Sequence, residues 1–170
     1  MPPFSRPALL PSATSLQHLQ PAGLYDSLPN GYTHVVSVQE PVRWLFVSGQ
    51  GGEDAQAHLP DSFALQARQA LANVRTALAA GSASMADVTK LTVLIVDHDL
   101  PRFKQWQDSI ALHWGSGEPD DPRPRFPACT LIPVPKLALP GMLIEVEAIA
   151  AVSTARPAAT APATGQAVPA

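Results

Sequence analysis

Lys90-Leu91-Thr92-Val93-Leu94-Ile95-Val96-Asp97 carries apolar residues on both of its alternating faces. Successive strand residues point to opposite sides, so such a run is read as a central strand, covered on both sides. Immediately after it, Asp99 followed by Pro101 has the form of a helix start. The stripe Phe103, Trp106, Ile110 and Trp114 follows at helical spacing, and Gly115 ends it. On the other side, Asp61 or Ser62 caps a helix running to Ala80, with Gly81 as its stop. Phe63, Ala67, Leu71, Val74 and Leu78 make one apolar stripe along it, with Gln66, Arg68, Gln69 and Arg75 mostly off that stripe. Further out, Thr33–Gln39 and Arg43–Ser48 read as strands joined by a short turn, a hairpin ended by Gly49, Gly51 and Gly52. Ala128–Val134 and Met142–Val152 supply two more strands beyond a polar, proline-rich loop at Gly115–Phe126. The order β-β-α-β-α-β-β is an α+β pattern in which two helices cover one face of a small sheet. The opposite face then has no cover within the chain. Large apolar patches are rare on monomers, so packing of copies through their sheets is expected.

Composition narrows the classes. The 170 residues hold 11 Lys+Arg against 14 Asp+Glu, a formal charge of -3, which argues against a nucleic-acid binder. Hydrophobic residues make up 46% and charged residues only 15%. Charge this sparse implies surface held in tails or buried against a partner. The 19 prolines are concentrated in part at the N-terminus, where residues 1–24 read as an irregular arm. Residues 154–170 are nearly all Ala, Pro, Thr, Gly and Val and read as a disordered tail, which leaves residues 25–153 as the working domain. Cys129 is the single cysteine, so neither an intrachain disulfide nor a multi-cysteine metal site is expected. No run approaches the ~20 apolar residues of a membrane span. The first residues lack a charged region followed by an apolar one, so no secretory signal is read and a cytoplasmic protein is expected.

Several stretches, in order, resemble the Rid family, the YjgF-like reactive intermediate deaminases. They are Gly31-Tyr32-Thr33-His34-Val35, Leu45-Phe46-Val47-Ser48-Gly49-Gln50, and Gln66-Ala67-Arg68-Gln69-Ala70-Leu71-Ala72-Asn73-Val74. They continue with Asp87-Val88-Thr89-Lys90-Leu91-Thr92-Val93, Pro127-Ala128-Cys129-Thr130 and Ile144-Glu145-Val146-Glu147-Ala148-Ile149-Ala150. The resemblance implies a chorismate-mutase-like fold, with two helices on one face of a mixed sheet, assembled as a homotrimer with clefts between subunits. It further implies hydrolysis of imines or enamines, with a small-molecule ligand and neither metal nor cofactor. Carried over by position, it makes Glu145 the acid that positions or activates water. Tyr32, Ser48, Gly49, Cys129 and Thr130 become cleft positions, and Gln107 stands where the family often has asparagine. Two departures follow from the same comparison. Cys129 occupies the place of an arginine that clamps a substrate carboxylate, and a thiol offers neither the permanent charge nor the planar fork of donors. Gly51-Gly52 replaces a common Ile-Pro, which predicts a looser loop.

The residues allow plainer readings beside these. Glu145 and Glu147 share one sheet face, where burial at an interface would raise their pKa values; a structural ion pair or hydrogen-bonded carboxylate is the alternative for either. Cys129 is a nucleophile only if a base or positive field lowers its pKa, and otherwise a small buried residue. Tyr32 either donates to a ligand or packs at the cleft edge. Asp97-His98-Asp99 has the letters of a metal trio, yet Asp99 is better placed as a helix cap, and the five histidines show no ligand spacing. An enzyme of this kind and a non-catalytic metabolite-binding or regulatory trimer both satisfy the sequence.

Overall fold

The structure is a computed structural model and describes residues 16–39, 41–116 and 122–154. The expected tail beyond residue 154 and the first 15 residues lie outside that range. The strands are β1 (Leu16–Leu19), β2 (Val35–Val38), β3 (Val42–Gln50), β4 (Val88–Val96), β5 (Ala128–Val134) and β6 (Ile144–Ser153). The helices are α1 (Phe63–Ala80) and α2 (Leu100–Trp114). A four-stranded mixed sheet has the order β3-β6-β4-β5, with only β4 and β5 parallel. The run at Lys90–Asp97 is interior, as its apolar content requires. This is the α+β arrangement of two helices on a mixed sheet.

Each helix buries the stripe its spacing sets. On α1, Phe63, Ala67, Leu71, Val74 and Leu78 are all buried. On α2, Trp106, Ile110 and Trp114 are buried, and Phe103 packs against their cluster. Pro101 lies in the first turn of α2, and the Asp99 carboxylate accepts the Arg102 N–H at 2.8 Å, satisfying one of the donors a helix start leaves open. Facing the helices are Leu91, Val93 and Ile95 of β4 and Ile144, Val146, Ala148 and Ala150 of β6. Full burial of each of the Leu, Val and Ile side chains among them contributes about 1.5–3 kcal/mol, and of each alanine methyl about 0.8 kcal/mol. The other sheet face holds Phe46, 77% exposed, and Trp44, 43% exposed.

Four expectations are corrected. β2 does not form a hairpin with β3; it pairs antiparallel with β1, while β3 pairs with β6. The arm read as irregular over 1–24 contains β1, whose four residues alternate in exposure along the strand. Gln66, read as lying off the α1 stripe, is buried because its amide is fully used. It donates to the carbonyls of Pro60 at 2.8 Å and Gly141 at 2.9 Å, and accepts from the Leu143 N–H at 2.8 Å. The Gly51-Gly52 loop is not loose. Both glycines are buried, and a Cβ on Gly52 would lie 2.5 Å from the Gln66 Cα. The missing side chain there allows the loop to lie directly on α1. Asn73 ties it down by donating to the carbonyls of Gly51 at 3.0 Å and Glu53 at 2.8 Å.

Candidate functional site

The segment before β2 builds a cavity through its turns. Leu28–Asn30 forms one 3-10 turn, and Gly31 ends it with φ 77°, a left-handed conformation that favours glycine. The chain direction set there brings Tyr32 beside α2 and β5. Gln107 of α2 donates to the Pro29 carbonyl at 2.8 Å and fixes the turn against the helix. An open cavity of about 300 Å³ results. Tyr25, Asn30 and Tyr32 line one side; Phe103 and Trp106 of α2 with Cys129 and Leu131 of β5 line the other. No charged side chain is among these described residues.

Tyr32 is polarised by its neighbours. Its hydroxyl and that of Tyr25 are hydrogen-bonded, and the two rings meet edge to face with centroids 6.4 Å apart. His34 completes a triangle, 5.3 Å from Tyr25 and 5.4 Å from Tyr32, and its Nε2 pairs with the Tyr25 carbonyl at 2.8 Å. The hydroxyl pair, with a smaller contribution from burial, pushes the Tyr32 phenol up to about 12. At neutral pH Tyr32 is thus a hydrogen-bond donor held in place, not a base. Burial pushes the Cys129 thiol up to about 11, against a weaker pull from Lys90. A thiol so raised is protonated at neutral pH and is a poor nucleophile.

Glu145 is elsewhere. On β6 its neighbours Ile144 and Val146 face the helices, so the carboxylate projects from the open sheet face. A Cβ built on Gly49 would lie 1.8 Å from Glu145 Oε1, so the side chain lies directly across the backbone of Gly49 at the end of β3. Ser48, exposed, precedes it. Thr130 alternates with Cys129 along β5 and shares the open face, where the Lys90 ammonium donates to its hydroxyl. Glu147 lies there too, across from Thr92.

The predicted site residues thus fall into three places. Tyr32 and Cys129 share the cavity beside the edge strand β5. Glu145, Ser48, Gly49 and Thr130 belong to the open face, with Ser48 and Gly49 on the opposite edge strand β3. Gln107 supports the Pro29 turn from outside the cavity lining. Tyr25 and Asn30 were not singled out from the sequence, since the turn that brings them to Tyr32 carries no motif of its own. Among the described residues no three His, Cys, Asp or Glu side chains stand together as a metal site, and no helix is long and apolar enough to cross a membrane.

The sequence model of the endoribonuclease L-PSP family matches residues 27–152. Among solved structures, YyfB of the Rid protein family from Yersinia pestis is 30% identical with a TM-score of 0.70, covering 81% of this chain and 98% of its own. Rv2704 from Mycobacterium tuberculosis, of the YjgF/YER057c/UK114 family, is 26% identical with a TM-score of 0.52, covering 81% and 100%. The YjgF gene product of E. coli is 28% identical with a TM-score of 0.52, covering 67% and 86%. Among curated proteins none matches significantly. Fold, sequence model and solved relatives agree, and the chain belongs to the Rid/YjgF family.

Proposed function

We propose that this protein assembles as a homotrimer and hydrolyses an imine or enamine in clefts between subunits, with Glu145 handling water and Tyr32 donating to the substrate. The observation that carries this reading is the separation of two half-sites. One chain presents Tyr32 at a cavity beside β5, and Glu145 against Gly49 on the other sheet face near β3. A single small molecule reaches both only where two copies meet. A carboxylate held near a bound imine accepts a proton from water and returns it to the leaving amine, as general acid–base catalysis requires.

The cavity also bears on which substrate. It is lined by aromatic and apolar groups with Asn30, and Cys129 stands where the family resemblance implies a carboxylate-binding arginine. The uncharged lining favours an imine whose bound end has no carboxylate. An RNA substrate, as the family model's name would suggest, gains no support from a formal charge of -3.

The test is ammonia release from imines generated in situ, with and without a carboxylate. Turnover of an uncarboxylated imine that drops at least about a hundredfold in Glu145→Gln supports the reading. Equal rates in both proteins, or no rate above buffer on any imine, overturn it. The same uncharged cavity favours one second reading, a non-catalytic metabolite-binding trimer. Thermal-shift ligands that stabilise without being consumed would establish that instead. Cys129→Arg separates the two ligand classes, since it supplies a planar fork of donors suited to the carboxylate of a 2-imino acid.

A further inference from the structure

Four aromatic side chains stand around the cavity beside β5, and their arrangement suits one sign of charge. Tyr25 and Tyr32 come from the chain before β2, Phe103 and Trp106 from α2. The two tyrosine rings are inclined at 75°, so they stand as adjoining walls and not as a stack. Their hydroxyls are hydrogen-bonded to each other, which fixes one ring against the other. Phe103 and Trp106 are three residues apart on α2, a spacing that puts both on one helix face. Trp106 is buried and Phe103 half-buried against the core, so this wall is held by packing. Tyr25 is 60% exposed and offers aromatic area that a ligand can cover.

The polar groups at the cavity do not supply a cation of their own. The Tyr32 phenol and the Cys129 thiol both keep their protons at neutral pH, as argued above. Asn30 adds an amide, whose oxygen bears partial negative charge. Lys90, whose field reaches Cys129, has its ammonium engaged by the Thr130 hydroxyl on the open sheet face. Where the family resemblance implies an arginine, the cavity holds a neutral thiol. An aromatic ring presents a negative face through its quadrupole, so several rings around one small space attract a cation without any carboxylate.

We propose that this cavity is an aromatic cage for an alkylated ammonium group, with Tyr25, Tyr32, Phe103 and Trp106 as its walls. Its volume of about 300 Å³ equals the share of roughly ten waters, room for a trimethylammonium group on a short chain. This deepens the reading above: the substrate it assigns is an imine that carries an ammonium group away from its C=N bond. Turnover of such an imine rests on the deaminase reading, whereas binding of the cation does not.

The experiment is calorimetric titration of the full chain at neutral pH. Choline is the probe in one arm, its neutral isostere with carbon in place of nitrogen in a second, and pivalate in a third, all at matched ionic strength. Saturable binding of choline at least about tenfold tighter than of the isostere supports the cage. Tyr25→Leu and Phe103→Leu keep apolar bulk and remove a ring, so each should weaken choline about tenfold while changing the isostere less than about twofold. Tyr25→Leu alters an exposed side chain and leaves the core intact. Equal affinity for choline and isostere, tighter binding of pivalate, or choline affinity unchanged in both variants overturns the proposal. Ammonia release then separates the two claims. Choline binding without turnover of any imine supports the cage and counts against the deaminase alone. Turnover that does not favour an imine bearing a trimethylammonium group over its neutral analogue overturns the assigned substrate and leaves the deaminase standing.

Discussion

Burial pushes the Cys129 thiol up to about 11, and this sets what the residue can do. Since the thiolate is the reactive form, alkylation by iodoacetamide at pH 8 should run at least about tenfold slower than that of a free cysteine, then climb steeply toward pH 11. A rate that levels off below pH 9 would show that the site activates the thiol. Tyr32 offers a parallel test, because the chain holds only 2 tyrosines. In Tyr25→Phe the remaining phenol reports alone. Its neutral form loses the hydrogen bond that contributes most to the rise to about 12, so the absorbance titration should move down toward 10. An unmoved titration would place the cause in burial. At Gly49 the obstacle to a side chain is the flexible end of Glu145, so Gly49→Ala should fold normally while forcing the carboxylate aside. Ammonia release in the proposed reaction should then fall toward that of Glu145→Gln, with unfolding free energy changed by less than about 1 kcal/mol.

At the scale of elements, the close approach of the loop at Gly51-Gly52 to α1 meets backbone and not a side-chain tip. Gly52→Ala should therefore destabilise the fold by about 1–3 kcal/mol, read as a lower denaturant midpoint with unchanged slope. A neutral Gly52→Ala would mean the loop is free to lift. This loop also marks the limit of what local sequence reveals. Helices α1 and α2 were legible because a period of 3.6 and the Asp99 cap are local signals. The interior position of β4 was legible because both of its faces are apolar. The partner of β2 was not, because hairpin rules weigh chain neighbours, and the nearest candidate, β3, pairs instead with β6 about a hundred residues on. Gln66 shows the same limit: an amide reads as surface until the carbonyls of Pro60 and Gly141 are folded onto it. For the candidate site, the residue types came from the family resemblance. The division of Glu145 from Tyr32 did not, because strand alternation fixes which face a residue takes but not which edge of the sheet its partners occupy.

At the scale of the whole molecule, the open sheet face is where the proposed assembly succeeds or fails. Phe46 and Trp44 expose large apolar surfaces on it, in the company of Lys90, Glu145 and Glu147. Such a face is costly to leave in water, yet too polar to bury without pairing its charges. Contact between copies resolves both difficulties, and it would carry Glu145 toward the Tyr32 cavity of a neighbour. Sedimentation equilibrium at micromolar concentration should then give a mass near three times 17.9 kDa. Phe46→Asp places an unpaired charge where an apolar ring is expected to be buried, so it should shift the mass toward that of one chain and make it depend on concentration. It alters neither Glu145 nor Tyr32, so its effect on ammonia release separates two explanations of the geometry. Loss of activity in step with loss of mass means that the reacting groups come from different copies. Full activity in a dissociated Phe46→Asp protein would mean that one chain is sufficient, and the inter-subunit cleft would have to be abandoned.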